Sequence, residues 1–186
     1  MRIVVIGAGG IGGWLGTRLA ASGQHVGFLV RGRTLQALRT GGLTLRDRSG
    51  GGAGTVTAHV EHPLVGEDPG TLVSAMGGYP DLVLVTTKVD VLFGLTPVLR
   101  RLTGPGTGVV STQNGISAPA LLAAAVGEEH VLPGVVRVYS AIVSPGTVGT
   151  IGSTGSLALG EWDGSASARS AVAVEALEAA GIRAWV

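Results

Sequence analysis

Apolar residues gather along this chain in short β-branched runs, separated by segments whose apolar positions recur every three or four residues, the alternation expected of β-α units. Arg2 to Ile6 is such a run; it ends on glycines and predicts a buried strand followed by a sharp turn. From Gly10 to Ser22 the residues Ile11, Leu15 and Leu19 fall at i, i+4 and i+8, which predicts a helix with one packing stripe. Gly12 and Gly16 let that face approach a sheet closely, and Gly23 ends the helix. His25 to Val30 is the next strand, followed by Arg31-Gly32-Arg33 and a short helix from Thr34 to Arg39 that Gly41-Gly42 stops.

Strands are expected at Leu43 to Leu45 and Thr55 to Val60 around a glycine-rich turn, Ser49 to Gly54. Leu64 to Tyr79 is ambiguous apart from a helix from Pro69 to Met76. Asp81 to Thr87 is almost all aliphatic, as a central parallel strand should be; Val89 to Leu102 then reads as helix and Thr107 to Ser111 as strand. Ala118 to Val126 is a helix, and His130 to Val138 a strand disturbed by Pro133 and Gly134. Short runs at Ser140 to Val143, Val148 to Ile151 and Leu157 to Leu159 follow, punctuated by Ser144-Pro145-Gly146 and a turn over Gly152 to Gly155. They are expected to be antiparallel strands that close the edge of the sheet, before a helix from Ser165 to Ala180 and a strand from Ile182 to Val186.

Composition narrows the class. Of 186 residues 45% are hydrophobic and 13% charged, which excludes a disordered chain, and the 33 glycines and 8 prolines are spread between apolar runs rather than repeated. Thirteen basic against twelve acidic residues leave a net charge of +1 and no basic stripe, so nucleic acid is not an expected partner. The absence of cysteine removes disulfides and thiolate chemistry and fits a reducing compartment, the cytoplasm by default. The N-terminal apolar run is too short for a signal segment and no apolar stretch of membrane-spanning length follows, so no membrane association is expected.

Chemistry is concentrated at strand ends. Gly7-Ala8-Gly9-Gly10-Ile11-Gly12 is a G-x-G-x-x-G directly after a strand and opening a helix, the context in which this motif binds a dinucleotide. Gly7 permits the tight turn, Gly9 leaves the backbone open to a pyrophosphate, and Gly12 lets helix pack on strand, with phosphate charge meeting the helix N-terminus. The predicted fold is therefore α/β of Rossmann type: a doubly wound, mostly parallel sheet with an antiparallel extension near the C-terminus. One dinucleotide-binding domain spans residues 1–186.

A domain selective for NAD carries a carboxylate about 20 residues beyond the glycines, at the end of the second strand. Here Phe28-Leu29-Val30-Arg31-Gly32-Arg33 offers guanidinium groups instead; Arg31 can fork onto a 2′-phosphate, which favours NADP, unless both arginines are plain solvated loop charges. Lys88, the one lysine beside twelve arginines, follows the aliphatic strand at the carboxyl edge where such sheets hold ligands; the alternative is a snorkelling surface lysine. Thr112-Gln113-Asn114-Gly115 ends the next strand; Asn-Gly alone signals a turn, but the Asn114 amide suits cofactor and substrate hydroxyls. The glycine loop, Lys88 and Asn114 are expected to converge. His59 and His62 with Glu61 lack a third placed ligand, so no metal site is expected, and no serine-histidine nucleophile motif is present.

These motifs, together with Gly41-Gly42-Leu43 and Ser144-Pro145-Gly146, resemble in their order the N-terminal domain of the 2-dehydropantoate 2-reductases (ketopantoate reductases) over nearly the whole chain. The resemblance implies NADPH-dependent reduction of 2-dehydropantoate to (R)-pantoate, on the route to pantothenate and coenzyme A, by hydride transfer to the C2 keto carbon. It implies that Gly7, Gly9 and Gly12 hold the pyrophosphate, with Ala8, Gly10 and Ile11 beside them in the cofactor-binding loop, and that Arg31 holds the 2′-phosphate. Lys88 and Asn114 would face cofactor and substrate, and Ser140 the nicotinamide. The family continues into a helical domain that supplies a lysine general acid, whereas this sequence stops at Val186. The expectation is thus no catalytic residue within these 186 residues and cofactor binding without appreciable turnover. The expected partners are a 2-keto acid and either a separate helical domain or a second copy. Two other readings remain: a non-catalytic NADP-binding regulatory module, although such modules usually keep an acid where Arg31 stands, and a related 2-keto-acid or sugar-phosphate dehydrogenase.

Overall fold

A computed structural model describes residues 1–152 and 155–186; residues 153 and 154, inside the turn expected over 152–155, lie outside the described residues. Six parallel strands make the main sheet: β1 (Arg2–Ile6), β2 (His25–Leu29), β5 (Leu64–Gly66), β6 (Leu82–Val85), β7 (Gly108–Ser111) and β8 (Val131–Leu132), in the order β5-β2-β1-β6-β7-β8. β6 and β7 are buried throughout, as is β1 after Arg2, because helices cover both faces, which is why these runs are mostly aliphatic. The side chains still alternate. Ile3 and Val5 of β1 and Leu84 of β6 enter one core with α1 (Gly10–Ala21), α2 (Gly32–Gly41) and α6 (Ala168–Ala179). Val4, Ile6, Val83 and Val85 enter the other, with α3 (Pro69–Ala75), α4 (Thr96–Leu102) and α5 (Ala118–Val126).

The strand order runs outward in one direction from β1 to β2 and β5, and in the other from β6 to β7 and β8. That reversal opens a crevice at the carboxyl ends of β1 and β6, where open α/β sheets bind ligands. Helix α1 leaves β1 there and closes at its far end with Gly23 at φ +89°, the Gly23 N–H bonding Ala20 and the Gln24 N–H bonding Leu19.

Several sequence expectations change. The C-terminal strands do not extend the main sheet: β10 (Ser140–Ser144) and β11 (Thr147–Thr150) join β3 (Leu43–Asp47) and β4 (Thr55–Val60) in a second sheet, ordered β10-β11-β3-β4, in which β11 runs parallel to β3. The expected strand from His130 to Val138 is two strands. β8 ends at Leu132, and Pro133-Gly134 turns the chain into β9 (Gly134–Arg137), which pairs with β12 (Ser156–Leu159) in a third sheet completed by β13 (Arg183–Trp185). Proline has no N–H for the ladder, and a Cβ on Gly134 would press on the Ser111 carbonyl oxygen at 2.5 Å. The single helix expected from Val89 is a 3₁₀ turn, Val89–Leu95, before α4 begins with Pro97 in its first turn. Strand β5 lies inside the segment that sequence left ambiguous.

Glu161, just after β12, accepts hydrogen bonds from Ser167 Oγ at 2.5 Å and from Arg169 Nε at 2.8 Å, tying the third sheet to the start of α6. The Arg169 guanidinium, helped by the Ser167 hydroxyl, holds the Glu161 carboxyl below the usual glutamate range against the opposing effect of burial. A carboxyl depressed in the folded state stabilises above its unfolded pKa and loses that contribution as pH falls through its folded pKa. The difference in urea midpoint between wild type and Arg169→Met should therefore be largest near neutral pH and shrink below about pH 4; equal differences at both pH values would refute the pairing.

Candidate functional site: the crevice at the strand-order reversal

The loop between β1 and α1 is held from beneath. The Gly7 N–H donates to Leu29 O at 3.0 Å, and the Thr86 hydroxyl lies 2.8 Å from both the Ile6 and the Gly7 carbonyl oxygens, so the ends of β2, β1 and β6 are laced together under the loop. Gly7 sits at φ +91°, a conformation that glycine alone adopts cheaply. A Cβ on Gly12 would strike the Gly7 carbonyl and the Thr86 hydroxyl, so Gly12 is what lets α1 lie against the sheet. Gly9 differs: no heavy atom lies within 4 Å of the Cβ it lacks, and the space above its backbone is open. Gly9 also precedes α1 without a side-chain cap, and the first turn carries no acid, which leaves the helix N-terminus available to an anion.

Two adjoining clefts meet at this loop. The first, of about 620 Å³, is lined by Gly7, Ala8, Gly9, Arg31, Thr34 and Glu67, among others. The second, of about 360 Å³, is lined by Ile11, Lys88 and Asn114, and Thr87 and Asp90 line both. Of the expected convergence, Ile11, Lys88 and Asn114 share one cleft, while Gly7, Ala8 and Gly9 line the neighbouring cleft with Arg31. Lys88 and Arg31 are exposed, and among the described residues neither forms an ion pair. Ser140 comes to the loop from the second sheet: a Cβ on Gly10 would meet its carbonyl at 2.7 Å and its hydroxyl at 3.1 Å.

Whether these residues fit a dinucleotide can be judged from the open backbone at Gly9, which a pyrophosphate fits and a side chain would fill. Among the described residues the Ser140 and Thr87 hydroxyl oxygens, buried beside the loop, have no hydrogen-bond partner, as expected of a polar site that a ligand completes. His59 lies elsewhere, with Nδ1 2.9 Å from the Thr44 hydroxyl, and His62 is exposed beside Glu61.

The sequence marks Thr112 and Gln113 only as part of a motif and does not show that they position the site. Gln113 Nε2 donates to Val85 O at 2.7 Å and to Thr87 O at 2.8 Å, and the Thr112 hydroxyl donates to Val85 O at 2.8 Å. These bonds clamp the end of β6, from which Lys88 emerges, to the end of β7. The available signal is polar residues directly after mostly apolar strands, where backbone carbonyls leave the ladder unpaired. Glu67 was missed because it follows β5, the unrecognised strand.

A six-stranded parallel sheet whose order reverses beside a glycine loop at a helix N-terminus is the architecture of a Rossmann-type, dinucleotide-binding domain. More narrowly, the chain belongs to the ketopantoate reductase PanE/ApbA family, whose model matches residues 3–164. An uncharacterized oxidoreductase of Bacillus subtilis is 28% identical over 188 residues, covering 100% of this chain and 56% of the relative. A 2-dehydropantoate 2-reductase of Halobacterium salinarum is 30% identical over 187 residues, covering 100% and 57%. The crystal structure of the 2-dehydropantoate 2-reductase from Geobacter metallireducens superposes with a TM-score of 0.85 at 28% identity, covering 100% of this chain and 58% of that one. The chain thus spans little more than half the length of these relatives. Among the described residues, no helix is long and apolar enough to cross a membrane.

The two glycines separate binding from folding. Gly9→Ala should unfold within about 0.5 kcal/mol of wild type, because its methyl enters open space, yet lose at least about tenfold in dinucleotide affinity. Gly12→Ala should cost about 2 kcal/mol or more by overpacking. Urea unfolding and nucleotide fluorescence titration read the two effects, and wild-type binding by Gly9→Ala would remove the pyrophosphate from this loop.

Proposed function

We propose that this chain is the cofactor-binding part of an NADPH-dependent oxidoreductase that reduces 2-dehydropantoate to (R)-pantoate. The observation that carries the reading is the first cleft itself, where an uncapped helix N-terminus with open backbone at Gly9 and the unpaired guanidinium of Arg31 line one cavity. That combination suits a pyrophosphate and a 2′-phosphate on one ligand. Bound there, the nicotinamide nucleotide supplies the hydride. The chain's own residues orient and shield: the β1–α1 loop seats the phosphates, and Ser140, beside Gly10, flanks the loop and offers its hydroxyl to the nicotinamide end of the ligand. Lys88 and Asn114 offer an ammonium and an amide to the carboxylate and hydroxyls of a small 2-keto acid in the second cleft. The proton for the developing alkoxide comes, in this reading, from the lysine of a helical domain like that of the longer relatives, supplied by further chain or by a partner. Exposed apolar side chains, Ile142 in the first cleft and Phe93, Ile116 and Tyr139 near in sequence to residues that line the clefts or the loop, suit such a neighbour.

Nucleotide binding tests the cofactor half of this reading. Arg31→Gln should weaken NADPH binding at least about tenfold while changing NADH affinity less than about threefold, since only the former carries the 2′-phosphate. Equal loss of both would remove Arg31 from the phosphate. The 186 residues alone should bind NADPH without oxidising it appreciably in the presence of 2-dehydropantoate, for want of an acid; turnover at the rate of a complete reductase would overturn the division of labour.

A further inference from the structure

Strands β2 and β5 are parallel neighbours, with Leu29 opposite Gly66, so the residues after them leave the sheet at the same level. On β2 these are Val30 and Arg31; on β5 it is Glu67. The Val30 N–H donates to Gly66 O at 2.9 Å, and the N–H of Gly32, first residue of α2, donates to Glu67 Oε1 at 3.1 Å. Arg31 and Glu67 both line the first cleft, yet they form no ion pair, and neither does Arg33 among the described residues.

We infer that Glu67 is a specificity-determining residue that works against Arg31 and narrows the preference of this cleft for NADPH over NADH. The inference rests on the cleft being a dinucleotide site, as proposed above. Selectivity is a difference between two affinities, and a repulsive group changes it as surely as an attractive one. Arg31 favours a 2′-phosphate. Glu67 opposes it twice: its carboxylate occupies the Gly32 N–H at the start of α2, a donor that a phosphate would otherwise take, and it places a negative charge beside the phosphate's seat. A ribose with a free 2′-hydroxyl meets no such penalty, because a carboxylate accepts hydrogen bonds from hydroxyls. The acid that NAD-selective domains carry at the end of their second strand is absent here from β2 but present one strand over, at the end of β5.

The test compares the 186-residue wild type with Glu67→Gln, each titrated separately with NADPH and NADH by nicotinamide fluorescence at low salt. The glutamine keeps an oxygen for the Gly32 N–H and removes only the charge. The preference for NADPH over NADH should rise about fivefold or more, and the gain should shrink as added salt screens the carboxylate. A preference unchanged within about twofold overturns the inference, as does loss of both nucleotides by the variant alone, which would make Glu67 a structural support. If wild type binds neither nucleotide, the dinucleotide reading falls and this one with it, a failure distinguished by needing no variant to be seen.

Discussion

Helix α1 lies closer to the main sheet than any side chain at two of its positions would permit. A Cβ on Gly12 would enter the Gly7 carbonyl, and one on Gly16 would enter the Phe28 ring. Because the helix rests that low, its N-terminus emerges level with the carboxyl ends of β1 and β6, and the loop joining strand to helix is short enough to be held by the Thr86 hydroxyl. Raise the helix by the thickness of a methyl group and the loop, the open backbone at Gly9 and the contact with Ser140 would all move. The crevice is a by-product of tight packing beneath it.

Around that fixed point the charges are sparse and placed at strand ends. Arg31, Glu67, Lys88 and Asp90 line the two clefts, whereas the carboxyl halves of the strands that precede them are apolar. A parallel sheet buried on both faces cannot hold ionisable groups within it, so polar chemistry is confined to its ends. Thr112 and Gln113, buried just past the end of β7, donate from their hydroxyl and amide to carbonyls at the neighbouring strand's end.

The first β-α unit was legible in the sequence because its signals are local: a β-branched run, then glycines, then a helical stripe from Ile11 to Leu19. The same holds for the all-aliphatic β6, for the short β7 and for the motif residues at their ends. Which sheet a strand joins is not local. Nothing in the run from Ser140 to Ile151 distinguishes an edge of the main sheet from a separate sheet with β3, since that choice is made by the outer face of α1, which needs a cover. Pro133 and Gly134 were visible as a disturbance, but not as a change of sheet. Glu67 escaped notice because the acid was sought along the chain from the glycine loop, whereas the sheet places it there through a strand of only three residues.

The parallel pairing of β3 with β11 joins residues about a hundred positions apart, Thr44 opposite Thr147 and Asp47 opposite Thr150. The face of α1 turned away from the main sheet is covered by β11, where Gly13 meets Val148, and Trp14 is capped by Gly155. On the ribosome, the chain emerges N-terminus first, so α1 can settle on β1 and β2 and against β3 and β4 early, but the part of its outer side that meets Val148 is covered only once the last third of these residues has been made. The glycine loop, oldest in order of synthesis, therefore receives its Ser140 neighbour among the later steps of folding, and a nascent chain halted before β11 would carry the motif without its finished surroundings.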